Sequence, residues 1–188
     1  MKIFKIPRFV KLILARRKWD FSVDHNSFHL TFDDGPHPET TPWLLAWLKE
    51  HKLKATFFCV GENARLYPEL MQQIVEEGHL VGNHTMYHEK GLKCSTNDYI
   101  ASVEQASEYI PSKLFRPPYG KMKWSQARAL RKQGYEIVMW TWLAYDFDLS
   151  VPVENFKVLS TKFKAGDIVV LHDNIRYFER TKAMLQQL

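Results

Sequence analysis

Short apolar runs, each closing on a polar cluster and each separated from the next by a helix-like stretch, recur along the chain and constrain its fold more than any other feature. Residues 27–32 alternate into a strand that runs into Asp33-Asp34-Gly35-Pro36. Thr40, Thr41 and Pro42 then open a helix to His51 whose Trp43, Leu44, Trp47 and Leu48 share one face. Residues 55–60 have the composition of a buried strand, 68–77 form a helix closed by Gly78, and 79–81 lead as a short strand into Gly82-Asn83-His84. The alternation continues with a helix over 97–110, a strand end at 114–116, a helix over 124–133 and a strand over 135–141. A helix over 153–163, a strand over 168–171 and a last helix over 178–188 complete it. Six strand-like runs with helical crossovers predict an α/β fold with a mostly parallel sheet, closed like a barrel or open and doubly wound. Asp33-Asp34, His84, Arg116, Asp146 and His172 all fall at or just past the C-terminal ends of strands, on the rim where parallel sheets carry their sites.

At 188 residues, 45% of them apolar, the chain has the size of one domain. Lys and Arg exceed Asp and Glu, 26 against 21, without the dense basic stripes of a nucleic-acid reader, so no nucleic-acid partner is expected. Cys59 and Cys94 form neither a CxxC pair nor a disulfide framework and are expected to be reduced thiols. Residues 1–20 read as a basic N-terminal arm ahead of one larger domain at 21–188. The arm's apolar run is broken by Lys11 and followed by Arg16, Arg17 and Lys18, too short and interrupted for a membrane span and poor as an export signal. The expected location is therefore cytoplasmic or membrane-peripheral, with the cell envelope as the alternative. The arm is expected to pack on its own domain, and its mixture of apolar and basic residues also suits peripheral contact with a membrane surface. Nothing here predicts an oligomeric state.

His84 and His88 stand four residues apart, which on a helical turn would put both imidazoles on one side and let them share a metal ion. The same spacing is also that of an ordinary surface pair. Asp33 and Asp34 are two adjacent carboxylates after an apolar strand, costly to crowd without a cation or donor, yet Asp-Gly-Pro is equally good turn chemistry. On an extended segment the two side chains point in different directions, so one can reach a metal and the other a substrate. His172 closes an apolar run, where an imidazole can exchange a proton or sit hydrogen-bonded in the core. Arg116, before Pro117-Pro118-Tyr119-Gly120, could neutralise a carboxylate at the rim or lie on the surface.

Taken in order, Thr31-Phe-Asp-Asp-Gly-Pro36, His84-Thr-Met-Tyr-His88, Arg116-Pro-Pro-Tyr119-Gly120, Trp140 to Asp146, and Leu171-His172-Asp173 resemble the five motifs of the polysaccharide deacetylase family, carbohydrate esterase family four. The resemblance implies a distorted (β/α) barrel of about seven parallel strands, and a divalent metal, commonly zinc, with cobalt, iron or nickel as alternatives, held by Asp34, His84 and His88. It further implies that Asp33 is the base that activates water, that Arg116 orients Asp33, and that the backbone N–H of Tyr119 receives the developing oxyanion. His172, paired with Asp146, would protonate the departing amine. Pro117, Tyr119, Phe147 and Val170 would bound the substrate. The implied activity is removal of acetyl groups from N-acetylated sugars of a peptidoglycan-like or chitin-like polymer. An O-acetyl esterase acting on a xylan-like polymer and a silent carbohydrate-binding protein are the alternatives.

The chain also departs from the family pattern. Leu143 stands where many relatives carry an Asp, Phe147 where they carry a Trp, and Val170 where they often carry a Leu, so the pocket wall is altered. Relatives usually continue beyond the last helix into a further apolar strand, so a last strand missing from the barrel is expected.

Overall fold

Continuous apolar runs become strands covered on both faces, as parallel sheets require. The computed structural model describes residue 2, residues 4–21 and residues 27–188; residues 1 and 3 of the basic arm and the stretch 22–26 lie outside the described residues. The elements are α1 (Arg8–Ile13), β1 (His29–Asp34), α2 (Thr41–Glu50), β2 (Ala55–Cys59), α3 (Gly61–Leu66), α4 (Pro68–Glu76), β3 (Leu80–Asn83) and α5 (Thr96–Ser107). They continue with β4 (Leu114–Phe115), α6 (Trp124–Lys132), β5 (Glu136–Ile137), β6 (Trp142–Leu143), α7 (Asn155–Ser160), β7 (Ile168–His172) and α8 (Phe178–Leu185).

The strands form one sheet in the order β5-β4-β3-β2-β1-β7-β6, and every neighbouring pair is parallel. Asp33 pairs in register with Phe58 on one side and His172 on the other, which brings the first and last motifs to one level of the rim. Seven strands precede α8, so the barrel-like sheet reaches the expected count without any strand beyond it.

The expected strand over 135–141 is divided. Only residues 136–137 pair with β4, and β6 begins at Trp142. Between them Val138 N–H still donates to Phe115 O of β4 and Thr141 N–H to Ile168 O of β7, but Met139 N–H donates to Lys18 O (2.7 Å), and the carbonyls of Val138 and Met139 accept from the Arg116 guanidinium. Four residues thus join the two edge strands of the sheet. The N-terminal arm lies along both edges, with Leu143 N–H donating to Phe4 O (2.9 Å) and Lys18 N–H to Ile137 O (2.8 Å). Such bonds occupy edge groups that would otherwise stay open.

The remaining helices are shorter than their sequence patterns, α7 spanning 155–160 rather than 153–163, and α3 was not anticipated at all. Leu44, Leu48 and Ile74 of α2 and α4 cover Leu30, Phe32 and Phe57 on one part of the sheet. Tyr99, Val103 and Leu130 of α5 and α6 cover Phe115 and Ile137 on another, where Ile6, Val10 and Leu14 of the arm also pack. Cys59 and Cys94 are both free thiols, as expected, and Cys59 is buried. No helix of the described residues is long and apolar enough to cross a membrane.

Candidate active site at the strand rim

Asp34 ends β1 with φ +82°, a left-handed conformation that turns its side chain away from that of Asp33. Both carboxylates line the cleft, Asp33 resting on Arg116 and Asp34 facing His84 and His88. His84 leaves the end of β3, and the segment to His88 is a loop rather than the helical turn its spacing suggested. Left-handed residues at Thr85 (φ +68°) and His88 (φ +58°) fold the loop back, and the two rings lie 5.1 Å apart between centroids. Side chains supply the hydrogen bonds a helix would have made. Thr85 N–H donates to Asn83 Oδ1, Met86 N–H to Ser102 Oγ and Glu89 N–H to Thr85 Oγ1.

Asp34 Oδ1 lies 3.3 Å from His88 Nε2 and 3.9 Å from His84 Nε2, and the donor atoms of the three residues all fall within 4.8 Å of one another. Asp34 Oδ1 is buried and has no hydrogen-bond partner among the described residues, an arrangement that costs free energy unless a cation is present. Its other oxygen accepts from Asn174 Nδ2 at 2.9 Å, which fixes the carboxylate's direction. His84 Nδ1 lies 2.7 Å from the backbone oxygen of Arg116; a carbonyl only accepts, so Nδ1 carries the hydrogen and Nε2 keeps its lone pair. Burial, reinforced by the neighbouring His88, holds His84 down at about 3, so it stays neutral, as a ligand must. Two imidazoles and one carboxylate fit a divalent metal and leave coordination positions open.

Asp33 and Arg116 form a buried pair, with Nη1 2.7 Å from Asp33 Oδ1. The same Nη1 donates to Thr31 Oγ1, Nη2 donates to Met139 O, and the guanidinium lies 4.0 Å from the centre of the Phe58 ring. Asp33 is thus held from beneath by a buried cation whose guanidinium makes four hydrogen bonds.

Opposite lies a second pair. His172 Nδ1 is 2.8 Å from Asp146 Oδ1, and Asp146 is wholly buried, its other oxygen accepting from His172 N–H and Thr181 Oγ1. Burial opposes a charge on His172, but the charge and hydrogen bond of Asp146, with Asp34 and Asp33 behind, raise the imidazole to about 9.

Asp33, Asp34, His84, His88, Tyr119, Phe147, Val170 and His172 line one cleft of about 320 Å³, with Leu143 also in its wall. The sequence residues outside that lining are Arg116 and Asp146, which stand behind Asp33 and His172, and Pro117, which is buried under the turn and accepts Gly120 N–H on its carbonyl. Tyr119 is left-handed (φ +59°), and at Gly120 a Cβ would come within 2.4 Å of the Trp140 ring, so that turn requires glycine. Sequence reasoning missed Asn174, Tyr177 and Thr181, and it quoted Thr31 and Trp140 within motifs without giving either a role. Asn174 directly follows the last motif, whereas Thr181 lies on α8, where nothing local marks it.

The polysaccharide deacetylase family model matches residues 22–138. A peptidoglycan-N-acetylglucosamine deacetylase of Bacillus cereus is 37% identical over 151 residues, 76% of this chain, and the chain spans 54% of that relative's length. A chitooligosaccharide deacetylase of Bradyrhizobium sp. is 33% identical over 175 residues, 89% of this chain and 80% of the relative. Among solved structures, a peptidoglycan N-acetylglucosamine deacetylase superposes with a TM-score of 0.82 at 28% identity, covering 97% of this chain and 88% of the other. Fold, motif order and site geometry agree, and the chain belongs to the polysaccharide deacetylase family.

Proposed function

We propose that this protein hydrolyses the acetamide of N-acetylated sugars in a glycan strand, with a divalent metal held by Asp34, His84 and His88. The observation that carries the reading is the buried, unpartnered Asp34 Oδ1 facing the Nε2 atoms of both histidines, beside Asp33 and across the cleft from His172. The named relatives support the substrate class, being deacetylases of peptidoglycan and of chitooligosaccharides. Zinc is the metal of choice, and cobalt, iron or nickel suit the same donors.

Such a cation supplies positive charge to the attacking water and to the acetyl carbonyl. Asp33, oriented by Arg116, accepts the proton of that water. The backbone N–H of Tyr119 donates to the carbonyl oxygen as it gains charge. His172, kept protonated by Asp146, gives its proton to the departing nitrogen, which an amine requires more than an alkoxide does. Phe147 and Val170 bound the acetyl group, with Leu143 replacing a polar wall by an apolar one. An acetate-release panel tests the reading: zinc- or cobalt-loaded protein should act on N-acetylated glycan strands, and cleavage of acetylated xylan alone would overturn the amide assignment.

The arm supports a membrane-peripheral location. In α1, Phe9, Leu12 and Ile13 are 62%, 75% and 66% exposed on the face opposite Val10 and Leu14, and exposed Arg8 and Arg16 flank them. Neither arginine makes an ion pair among the described residues. Exposed apolar side chains flanked by two arginines match an anionic lipid surface. Flotation with phosphatidylglycerol vesicles should capture the protein and lose it in Leu12→Glu; equal behaviour of the two proteins would remove the contact.

A further inference from the structure

Lys90, Lys93 and Lys121 line a second groove with Gly91, Leu92 and Tyr119, and this groove meets the cleft at the Tyr119 ring. That ring stands between His88, 4.7 Å away by centroids, and the Lys90 ammonium, 5.1 Å away. Cleft and groove are therefore continuous at Tyr119.

The groove is rigidly built. Its two loops approach so closely that a Cβ on Gly91 would come within 3.0 Å of Lys121 O. Wholly buried Gln126 donates from Nε2 to Gly91 O (2.8 Å) and accepts Lys123 N–H (2.7 Å), while Lys123 Nζ reaches Cys94 O (2.6 Å). These bonds hold both lysine-bearing loops in one frame.

None of the three lysines makes an ion pair among the described residues. The adjacent carboxylate of Glu89 is occupied by Ser102 Oγ and Tyr87 N–H. Three exposed cations on two tethered loops around one groove, unpaired among the described residues, form a site of positive potential, and exposed Tyr119 and Leu92 add apolar surface for a sugar face. Neutral chitooligosaccharides would leave those charges unused.

We propose that this groove is an anion subsite that takes a carboxylate carried on the sugar strand, so that the enzyme favours an acidic N-acetylated strand over a neutral one. The proposal rests on the deacetylase reading of the adjoining cleft. The carboxylate can sit on the sugar itself or on a peptide attached to it, and strands with and without peptide separate the two sources.

The test compares wild type with Lys93→Gln/Lys121→Gln on peptidoglycan strands with peptides, on the same strands stripped of peptides, and on chitooligosaccharide of equal length. On acidic strands KM should rise about fivefold to tenfold at low salt, with kcat unchanged and the difference fading at high salt. On chitooligosaccharide KM should stay within about twofold. An equal rise on neutral and acidic strands, or none on either, overturns the subsite. Calorimetric titration with the same strands, without turnover, reads the groove separately: weakened binding of acidic strands alone supports it, and unchanged binding refutes it. A wild type that binds but releases no acetate from any strand would fail the cleft reading instead.

Discussion

His84 Nδ1 lies 2.7 Å from the backbone oxygen of Arg116, the residue whose side chain also grips Asp33. One buried residue thus sets the tautomer of a metal-ligand candidate through its main chain and the position of the candidate base through its guanidinium. The two halves of the site are tied together at Arg116.

Removing that guanidinium should therefore cost both stability and turnover. Arg116→Met leaves Asp33 as a buried carboxylate without its cation, and unfolding free energy should fall by about 3–5 kcal/mol in urea denaturation. Arg116→Lys should recover part of the stability, since the charge returns but three ammonium hydrogens cannot serve Asp33, Thr31, Val138 and Met139 at once. Stability unchanged in the methionine variant would contradict the pairing.

Asp33→Asn should separate chemistry from metal binding. Acetate release should fall by about 10²- to 10⁴-fold, while zinc affinity measured by calorimetry changes little, because Asp34 and not Asp33 faces the histidines. Near-normal turnover would remove Asp33 from the role of base.

His172 should set the alkaline limb of activity. Its imidazole is raised from 6.5 to about 9, so its protonated form is lost, and with it the rate, as pH climbs through that range. A cation at Asp34 offsets part of that carboxylate's pull, which places the limb of the metal-loaded enzyme below 9. The folded protein also holds a proton that the unfolded chain releases earlier. This contribution to stability is complete below about 6.5 and disappears as pH rises through about 9. In Asp146→Asn both effects should shrink and the limb should move toward neutral pH; pH–rate profiles of the two proteins decide, and an unmoved limb would exclude the pair.

Gly35→Ala should destabilise the turn after β1. A Cβ there would come within 2.1 Å of Asp173 Oδ2, and that buried carboxylate is pinned by the hydroxyls of Thr40 and Thr41. A loss of about 1–3 kcal/mol is expected in thermal or denaturant unfolding, and an unchanged midpoint would show that the turn yields freely.

The parallel sheet and its rim were legible because strand ends carry polar clusters, and the registers of β1 with β2 and β7 place Asp33 and His172 together as the motif order suggested. The loop of His84 and His88 was not legible as a loop. Its shape depends on Asn83, Ser102 and Glu89, two of them distant in sequence or outside the motif. Residues 138–141 looked like strand because they are apolar, yet Met139 N–H, Thr141 O and the carbonyls of Val138 and Met139 are claimed by the arm and by Arg116, partners about 20 residues away or more that no local pattern shows. Thr181 and Asn174 join the site through the last connection, and the orphaned oxygen of Asp34 emerges only once the side chains are placed.

The most direct measurement follows acetate release from an N-acetylated glycan strand while chelator-stripped protein is titrated with zinc, alongside Asp34→Asn. The rate should rise in proportion to bound zinc and level off at one ion per chain, with neither tight binding nor turnover in the variant. Acetate release by the stripped protein, or full activity in Asp34→Asn, would contradict a metal centre at Asp34, His84 and His88.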